Sequence, residues 1–306
     1  MNLDTPLYVL SLDGGGVRGV ISTEILKHIE RELKIRCSEK FDVFVGTSVG
    51  GLIAASFKYL QCSAAQLNQL LTVKDMKKMM HKSVCDKMFG IVQTQPKYNG
   101  IVKQALLERN FGNQSFYRPG DTSTCMIPVY CVSKGQTTIF NSQTQGTAQV
   151  SEVLDATSAS PGYFPSVQIG QNWYIDGGVV ANNPAVLAFA KAVEFTKTTK
   201  RPIYLLSIGT GKMPVPRSGK ESKSFGIIQW FGNGLIDILQ QDENIAPIEI
   251  KAMMRPNKDR FLRINPPLGR VSQRMDNTSD RNYQRMLRLG AETFSQFQSQ
   301  LAAFFS

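Results

Sequence analysis

Gly46-Thr47-Ser48-Val49-Gly50 places a hydroxyl between two glycines, each two residues away. Where such a run joins a strand to a helix, the turn is sharp and strained. The glycines remove Cβ atoms that would clash, and the serine stands at the helix head, where backbone amides favour negative charge. The string also fits an ordinary glycine-rich turn. Its weight comes from lying between a strand-like run, residues 41–45, and a helix-like run, residues 52–60. A serine hydroxyl needs a base. The chain has two histidines, His28 and His81. None follows His81, so the order Ser, acid, late His of α/β-hydrolases is missing. His28 precedes the elbow on a helical stripe and reads as a surface or satisfied histidine. His81 lies in a Lys- and Met-rich segment and reads as one more polar face residue. A carboxylate acting directly as base remains, and Asp176 leads: it ends the strand-like run 173–176 and is followed by Gly177-Gly178. Asp before Gly is also a common turn former, an alternative that stands for Asp13 as well.

Asp13 opens a second glycine cluster, Gly14-Gly15-Gly16-Val17-Arg18-Gly19, which matches G-x-G-x-x-G between a strand and a helix. A dinucleotide site of that type needs an acidic residue at the end of the second strand, ready for a ribose. The second strand instead ends in the Ser48 elbow. A phosphate-binding G-x-x-x-x-G-K-[ST] loop is absent, and Gly209-Thr210-Gly211-Lys212 lacks both its leading glycine and its final hydroxyl residue.

The elements that must carry these groups follow from patterning. Residues 7–12 (LYVLSL) form a short, partly β-branched apolar run that stops at Asp13. Residues 23–33 carry Ile25, Leu26, Ile29 and Leu33 at helical spacing. Strand, glycine turn and helix then repeat through residues 41–60, the signature of a parallel α/β sheet. Further strands are expected at 125–132, 137–141, 173–176 and 203–208, the last leaving through Gly209 and Gly211. Asn182-Asn183-Pro184 reads as a helix start leading into 185–195. Carboxyl ends of parallel strands share one edge of a sheet, so Asp13, Ser48 and Asp176 are expected to meet there. Residues 211–224, rich in Lys, Ser, Gly and Pro, read as an inserted loop. The expectation is one domain over 1–306, with core motifs in 7–212 and a loop and helices in 213–306 packing on or capping it.

Four motifs in order carry a resemblance: Asp13-Gly14-Gly15-Gly16-Val17-Arg18-Gly19; Gly46-Thr47-Ser48-Val49-Gly50-Gly51; Ser158-Ala159-Ser160-Pro161 with Phe164-Pro165; and Asp176-Gly177-Gly178 with Asn182-Asn183-Pro184. Together the chain resembles the patatin-like phospholipase family, and Ser207–Gly211 and Phe261–Asn265 are similar to its bacterial-type members. The resemblance implies a three-layer α/β/α fold with a mainly parallel central sheet. It implies a lipid acyl hydrolase of phospholipase A or lysophospholipase type that uses a Ser-Asp dyad. Ser48 would be the nucleophile, Asp176 the base, and the amides of Gly14, Gly15 and Gly16 the oxyanion hole, with Arg18 supporting that loop. Asp13, Gly46, Gly50, Gly177 and Gly178 would complete the motifs. No cofactor or metal is required, and an activating ligand or protein accompanies related enzymes. The alternatives are a non-catalytic lipid- or nucleotide-sensing protein on the same fold, against which the intact Ser48 and Asp176 speak, and a dinucleotide-dependent oxidoreductase.

Composition sets the partners. The 306 residues are 42% apolar, enough for a core, and carry 35 Lys and Arg against 24 Asp and Glu, a net charge of +11. That excess favours an anionic partner, whether a phospholipid surface, nucleic acid or a charged small molecule, and the resemblance points to the first, an anionic membrane surface and its phospholipids. Nucleic acid is not expected, because the basic stretch 255–288 lacks aromatic interleaving or a known module and reads as a solvated or lipid-facing surface. Three segments are candidates for the interface: residues 74–89, 225–239 and the stripe Tyr283, Met286, Leu287, Phe294, Phe297, Leu301 and Phe304, which fits core packing better. No apolar run approaches the length of a bilayer span. Five cysteines without a C-x-x-C pair fit a reducing compartment. Residues 1–12 carry Asp4 and neither Lys nor Arg, unlike a signal peptide. The expected location is the cytoplasm with transient membrane association, export without a cleaved signal remaining open.

Overall fold

The computed structural model describes residues 5–70, 72–80, 95–212 and 245–306. Candidate segment 225–239, most of 74–89 and most of the loop 211–224 lie outside them, as do His81 and Cys85.

β1 (Leu7–Leu12) is buried along its whole length. Its alternate side chains point to opposite faces. Leu10 and Leu12 join one apolar cluster, and Leu7 and Val9 join another. A strand apolar on both faces must lie between two layers of helices. On one side α1 (Gly19–Leu33) packs with the long C-terminal helix α11 (Asp280–Phe305) and with α4 (Ala64–Leu70). On the other side α9 (Ala185–Thr196) covers β1, β2 (Val43–Gly46) and β7 (Ile203–Ile208), backed by α10 (Ile245–Met253). The architecture is therefore the expected three-layer α/β/α. Met286, Phe294, Leu301 and Phe304 of α11 are buried, so the C-terminal stripe is core. His28 stacks on Phe294, with ring centroids 5.4 Å apart, and its Nε2 lies 3.2 Å from Glu24. It is a packed histidine of α1.

Five strands run parallel in the order β3-β2-β1-β7-β8, where β3 is Thr124–Cys131 and β8 is Arg260–Ile264. β8 has no counterpart among the strands expected from patterning, and neither does β5 (Val167–Ile169). The elbow helix α3 (Val49–Ala55) starts three residues earlier than expected and passes into a π-helical stretch, Ser56–Leu60.

The placement of Asp176 departs from the expectation of a shared parallel edge. Its strand, β6 (Asn172–Asp176), runs antiparallel to β3, as does β4 (Gln136–Asn141). β4 takes one edge of β3, pairing Met126 with Asn141 through Cys131 with Gln136. The other edge is shared: β2 pairs through Val45↔Met126, and β6 pairs from Val129↔Asp176 onward. Two strands arriving along one edge from opposite ends must meet head to head. The end of β2, which becomes the Ser48 elbow, thus faces the end of β6, which is Asp176.

Candidate active site

Ser48 has φ 54° and ψ −123°, a positive φ that a non-glycine residue adopts only when its surroundings impose it. The surroundings are visible. A Cβ on Gly50 would lie 2.2 Å from the Leu12 carbonyl oxygen, so the start of α3 presses directly on the end of β1. Gly46, at the other side of the turn, faces the Gly50 carbonyl in the same way. The Thr47 amide donates to Leu12 O at 3.1 Å and its hydroxyl to Ala181 O at 2.6 Å. The Ser48 amide donates to Thr157 Oγ1 at 3.1 Å, and that hydroxyl donates to Pro128 O at 2.8 Å. Ser48 itself remains partly exposed to the cavity described below.

Asp176 is 3% exposed. Its backbone amide donates to Ala159 O at 3.1 Å, fastening the end of β6 to the turn after α7 (Val150–Thr157). Gly177 caps the short helix α8 (Gly178–Ala181), whose first amide, from Gly178, donates to Asp176 Oδ1 at 2.7 Å. Asp176 and Ser48 line the same cavity. Burial pushes the Asp176 carboxyl up to about 6, against the opposing pull of the Gly178 amide, the Ser48 hydroxyl and the positive charge of Lys103. A carboxyl raised towards neutrality by burial, on the same cavity as a strained serine, has the proton affinity that acid–base work requires.

The glycine loop lies beside this pair. The Gly14 amide is engaged, donating to Asn182 O at 3.0 Å. Gly15 and Gly16 line the cavity with Ser48, and among the described residues their amides have no protein acceptor. Gly16 needs its positive φ of 58°, and a Cβ there would meet the Met275 carbonyl at 2.4 Å. The loop is clamped from three sides. Arg18, buried, donates to Gly15 O and Gln273 O. Thr210 Oγ1 donates to Gly14 O at 2.7 Å. Arg263 forks onto the Asp13 carboxylate, with Nη1 2.8 Å from Oδ1, and also donates to Ser207 Oγ at 2.8 Å. Asp13 is therefore the anchor of the loop through a buried ion pair, and Arg263 is its partner rather than a surface charge. Arg255, likewise, pairs with Asp259.

An apolar cavity runs from the serine between α3, α5 (Val73–Met79) and α6 (Ile101–Phe111). Its walls include Leu67, Met76, Met79, Leu106, Leu107 and Phe111. Met76, Met79 and Met80 of the Lys/Met segment turn inward here, while Lys74, Lys77 and Lys78 face solvent. Thr157, Asn182 and Lys103 belong to the site although patterning did not single them out as site residues. Asn182 and the neighbour of Thr157 fell inside quoted motifs, whereas Lys103 carries no sequence signal at all. Among the described residues no cluster of three or more His, Cys, Asp or Glu is arranged to hold a metal ion, and no helix is long and apolar enough to cross a membrane.

The α/β/α sheet thus carries a clamped glycine loop, a strained serine and a buried carboxyl on one cavity. The family model for patatin-like phospholipases matches residues 10–189, more than half of the chain, and the chain belongs to that family, whose general activity is lipid acyl hydrolysis. It is 28% identical over 349 aligned residues to Patatin-like protein 1 of Arabidopsis thaliana, covering 92% of this chain and 80% of that protein. It is also 28% identical over 233 residues to a cGAMP-activated phospholipase of Escherichia coli (strain TW11681), covering 68% of this chain and 63% of that one. The solved structure of VipD from Legionella pneumophila shares the fold, with a TM-score of 0.50 at 13% identity over 97% of this chain and 67% of that one.

Proposed function

We propose that the protein is a phospholipase A or lysophospholipase in which Ser48 is the nucleophile and Asp176 the general base. The observation that carries this reading is the head-to-head meeting of β2 and β6, which brings a buried carboxyl to the cavity of the strained serine. In acylation the Ser48 Oγ–H bond breaks, its proton passes to the Asp176 carboxylate, and Oγ bonds to the ester carbonyl carbon. The carbonyl oxygen becomes an oxyanion facing the Gly15 and Gly16 amides, each such donor being typically worth ~3–4 kcal/mol. Collapse expels the alcohol, which takes the proton from Asp176. Water then repeats the sequence on the acyl-serine and releases the fatty acid. With Gly14 engaged by Asn182, this oxyanion hole is the Gly15–Gly16 part of the run.

The cavity supports a fatty-acyl group as the part of the substrate that enters. Leu106 is half-buried on α6, so Leu106→Trp narrows the cavity without overfilling the core. The ratio of kcat/KM for long-chain over short-chain esters is expected to fall about tenfold, with short-chain esters little affected. An ester series from four to sixteen carbons measures it, and an unchanged ratio removes the acyl assignment of this cavity.

The membrane part of the reading rests on Lys74 and Lys78, exposed on the helix whose methionines line the cavity. Each basic residue near an anionic bilayer contributes about 1 kcal/mol, screened by salt. Binding to phosphatidylglycerol-containing vesicles is expected to weaken about thirtyfold or more in Lys74→Glu/Lys78→Glu and to fall with added salt, while neutral vesicles show neither effect. Co-sedimentation checks this.

One relative is named for activation by cGAMP, and an activating ligand or protein is part of this proposal. The primary test is therefore one that reads the serine directly. A fluorophosphonate should modify Ser48 and nothing else in the folded protein, as located by mass spectrometry. Absence of labelling at Ser48 in folded protein, or labelling elsewhere only, overturns the dyad.

A further inference from the structure

Lys103 lies on α6, 5% exposed, in the wall of the cavity that holds Ser48 and Asp176. A lysine in such a place loses its hydration, and burial lowers its proton affinity. Its ammonium is nonetheless fully engaged. Nζ lies 2.9 Å from Asp155 Oδ1, 2.9 Å from Asp155 O and 3.1 Å from Ser158 Oγ, with the Phe164 ring centroid 4.6 Å away. Asp155 lies in the last turn of α7, and Ser158 begins the turn whose Ala159 carbonyl receives the Asp176 amide. The chain of contacts therefore runs from Lys103 through residues 155–159 to the backbone of Asp176. Lys103 and Asp176 line the same cavity, and the positive charge of the ammonium opposes the upward push of burial on the Asp176 carboxyl.

A plain staple between α6 and α7 is a role that two apolar side chains could fill, often without loss of stability. A lysine here does something an apolar pair cannot: it places a positive charge in the wall of the cavity that holds the carboxylate, which must stay ionised to accept a proton. β3 meets it with Val129, α8 with the Gly178 amide, and α3 with Ser48. α6 supplies Lys103, and α7 supplies Asp155 behind it.

We propose that Lys103 is a positioning residue for the Ser48–Asp176 pair, holding the turn on which Asp176 is fastened and keeping its carboxylate in the charged form. The inference rests on the dyad reading above. Lys103 touches no reacting atom in this scheme and acts through Asp176.

The test replaces the ion pair as a unit, Lys103→Met/Asp155→Leu, so that no lone charge is left buried. Fluorophosphonate labelling of Ser48 is followed from pH 5 to 9, beside urea unfolding. The double variant is expected to unfold near the parent midpoint, to label about tenfold more slowly at pH 8, and to show its acid limb displaced to higher pH. A folded double variant with the parent rate and limb overturns the proposal, because a staple alone would give that result. If the double variant does not fold, Lys103→Arg serves. It keeps the charge but cannot reproduce the three-point contact of the ammonium. Slower labelling with an unmoved limb supports the proposal, and an unchanged rate with an unchanged limb overturns it. Hydrolysis or labelling that survives Ser48→Ala overturns the dyad itself and this inference with it. A parental profile in the double variant overturns only the role of Lys103.

Discussion

Asp176→Asn is expected to lower fatty-acid release by about 10⁴-fold or more and, at pH 8, to make the protein more stable by about 2–3 kcal/mol. The first effect follows because an amide cannot accept the serine proton. The second follows from linkage. Burial raises the Asp176 carboxyl from its ordinary 3.8 to about 6, so the folded protein holds this proton more tightly than the unfolded chain does. Stability is thus undiminished below pH 4, declines as the pH rises towards 6, and carries the whole cost of a buried charge above it. Asparagine carries no such cost and still accepts the Gly178 amide. The gain should therefore vanish near pH 3.5, where the parent carboxyl is protonated in both states. Urea unfolding of parent and variant at the two pH values measures it. The same titration sets the acid limb of kcat/KM in the parent near pH 6. A variant less stable than the parent at pH 8, or an acid limb near 4, contradicts the assignment.

Ser48 gives the second large effect. Ser48→Ala and Ser48→Gly should both lose hydrolysis by about 10⁴-fold or more, since neither has a nucleophile. Their stabilities should separate. Alanine inherits the φ of 54° and its strain, and should unfold within about 1 kcal/mol of the parent. Glycine adopts that conformation without clash. It should exceed alanine by about 1 kcal/mol, the relief of strain less the freedom glycine adds to the unfolded chain. A glycine variant weaker than the alanine variant removes strain from the description of the elbow. Circular dichroism at matched urea concentrations, with release assays on defined liposomes, distinguishes the two effects.

Much of this site was legible in the letters because its components are local. Gly46, Gly50 and Gly16 stand where backbone meets backbone or where φ is positive, and only glycine tolerates such places. Apolar runs stopped by a turn located β1 and β7 to the residue, and helical spacing, a strand-like run and an Asn-Asn-Pro start located α1, β2 and α9 to within a few residues. What misled was the assumption that Asp176 shares a parallel edge with Ser48. A four-residue strand reads the same in either direction, and the sense of pairing is a property of the neighbouring strand. The glycine run also reads as three equal donors, whereas Asn182, far along the chain, takes one of them.

The order of motifs, the scarcity of histidine and the two glycine turns determined from sequence alone the family and the two side chains to watch, because each is a constraint on neighbours within a few residues. Tertiary structure decided how the pair meets, which glycine amides face the cavity, that Arg263 answers Asp13, and that Lys103 sits inside. Each of those depends on groups 40 to 250 residues apart, brought together by strand pairing and burial. Burial also sets the proton affinity of Asp176, and desolvation is a property of a packed interior rather than of any stretch of chain.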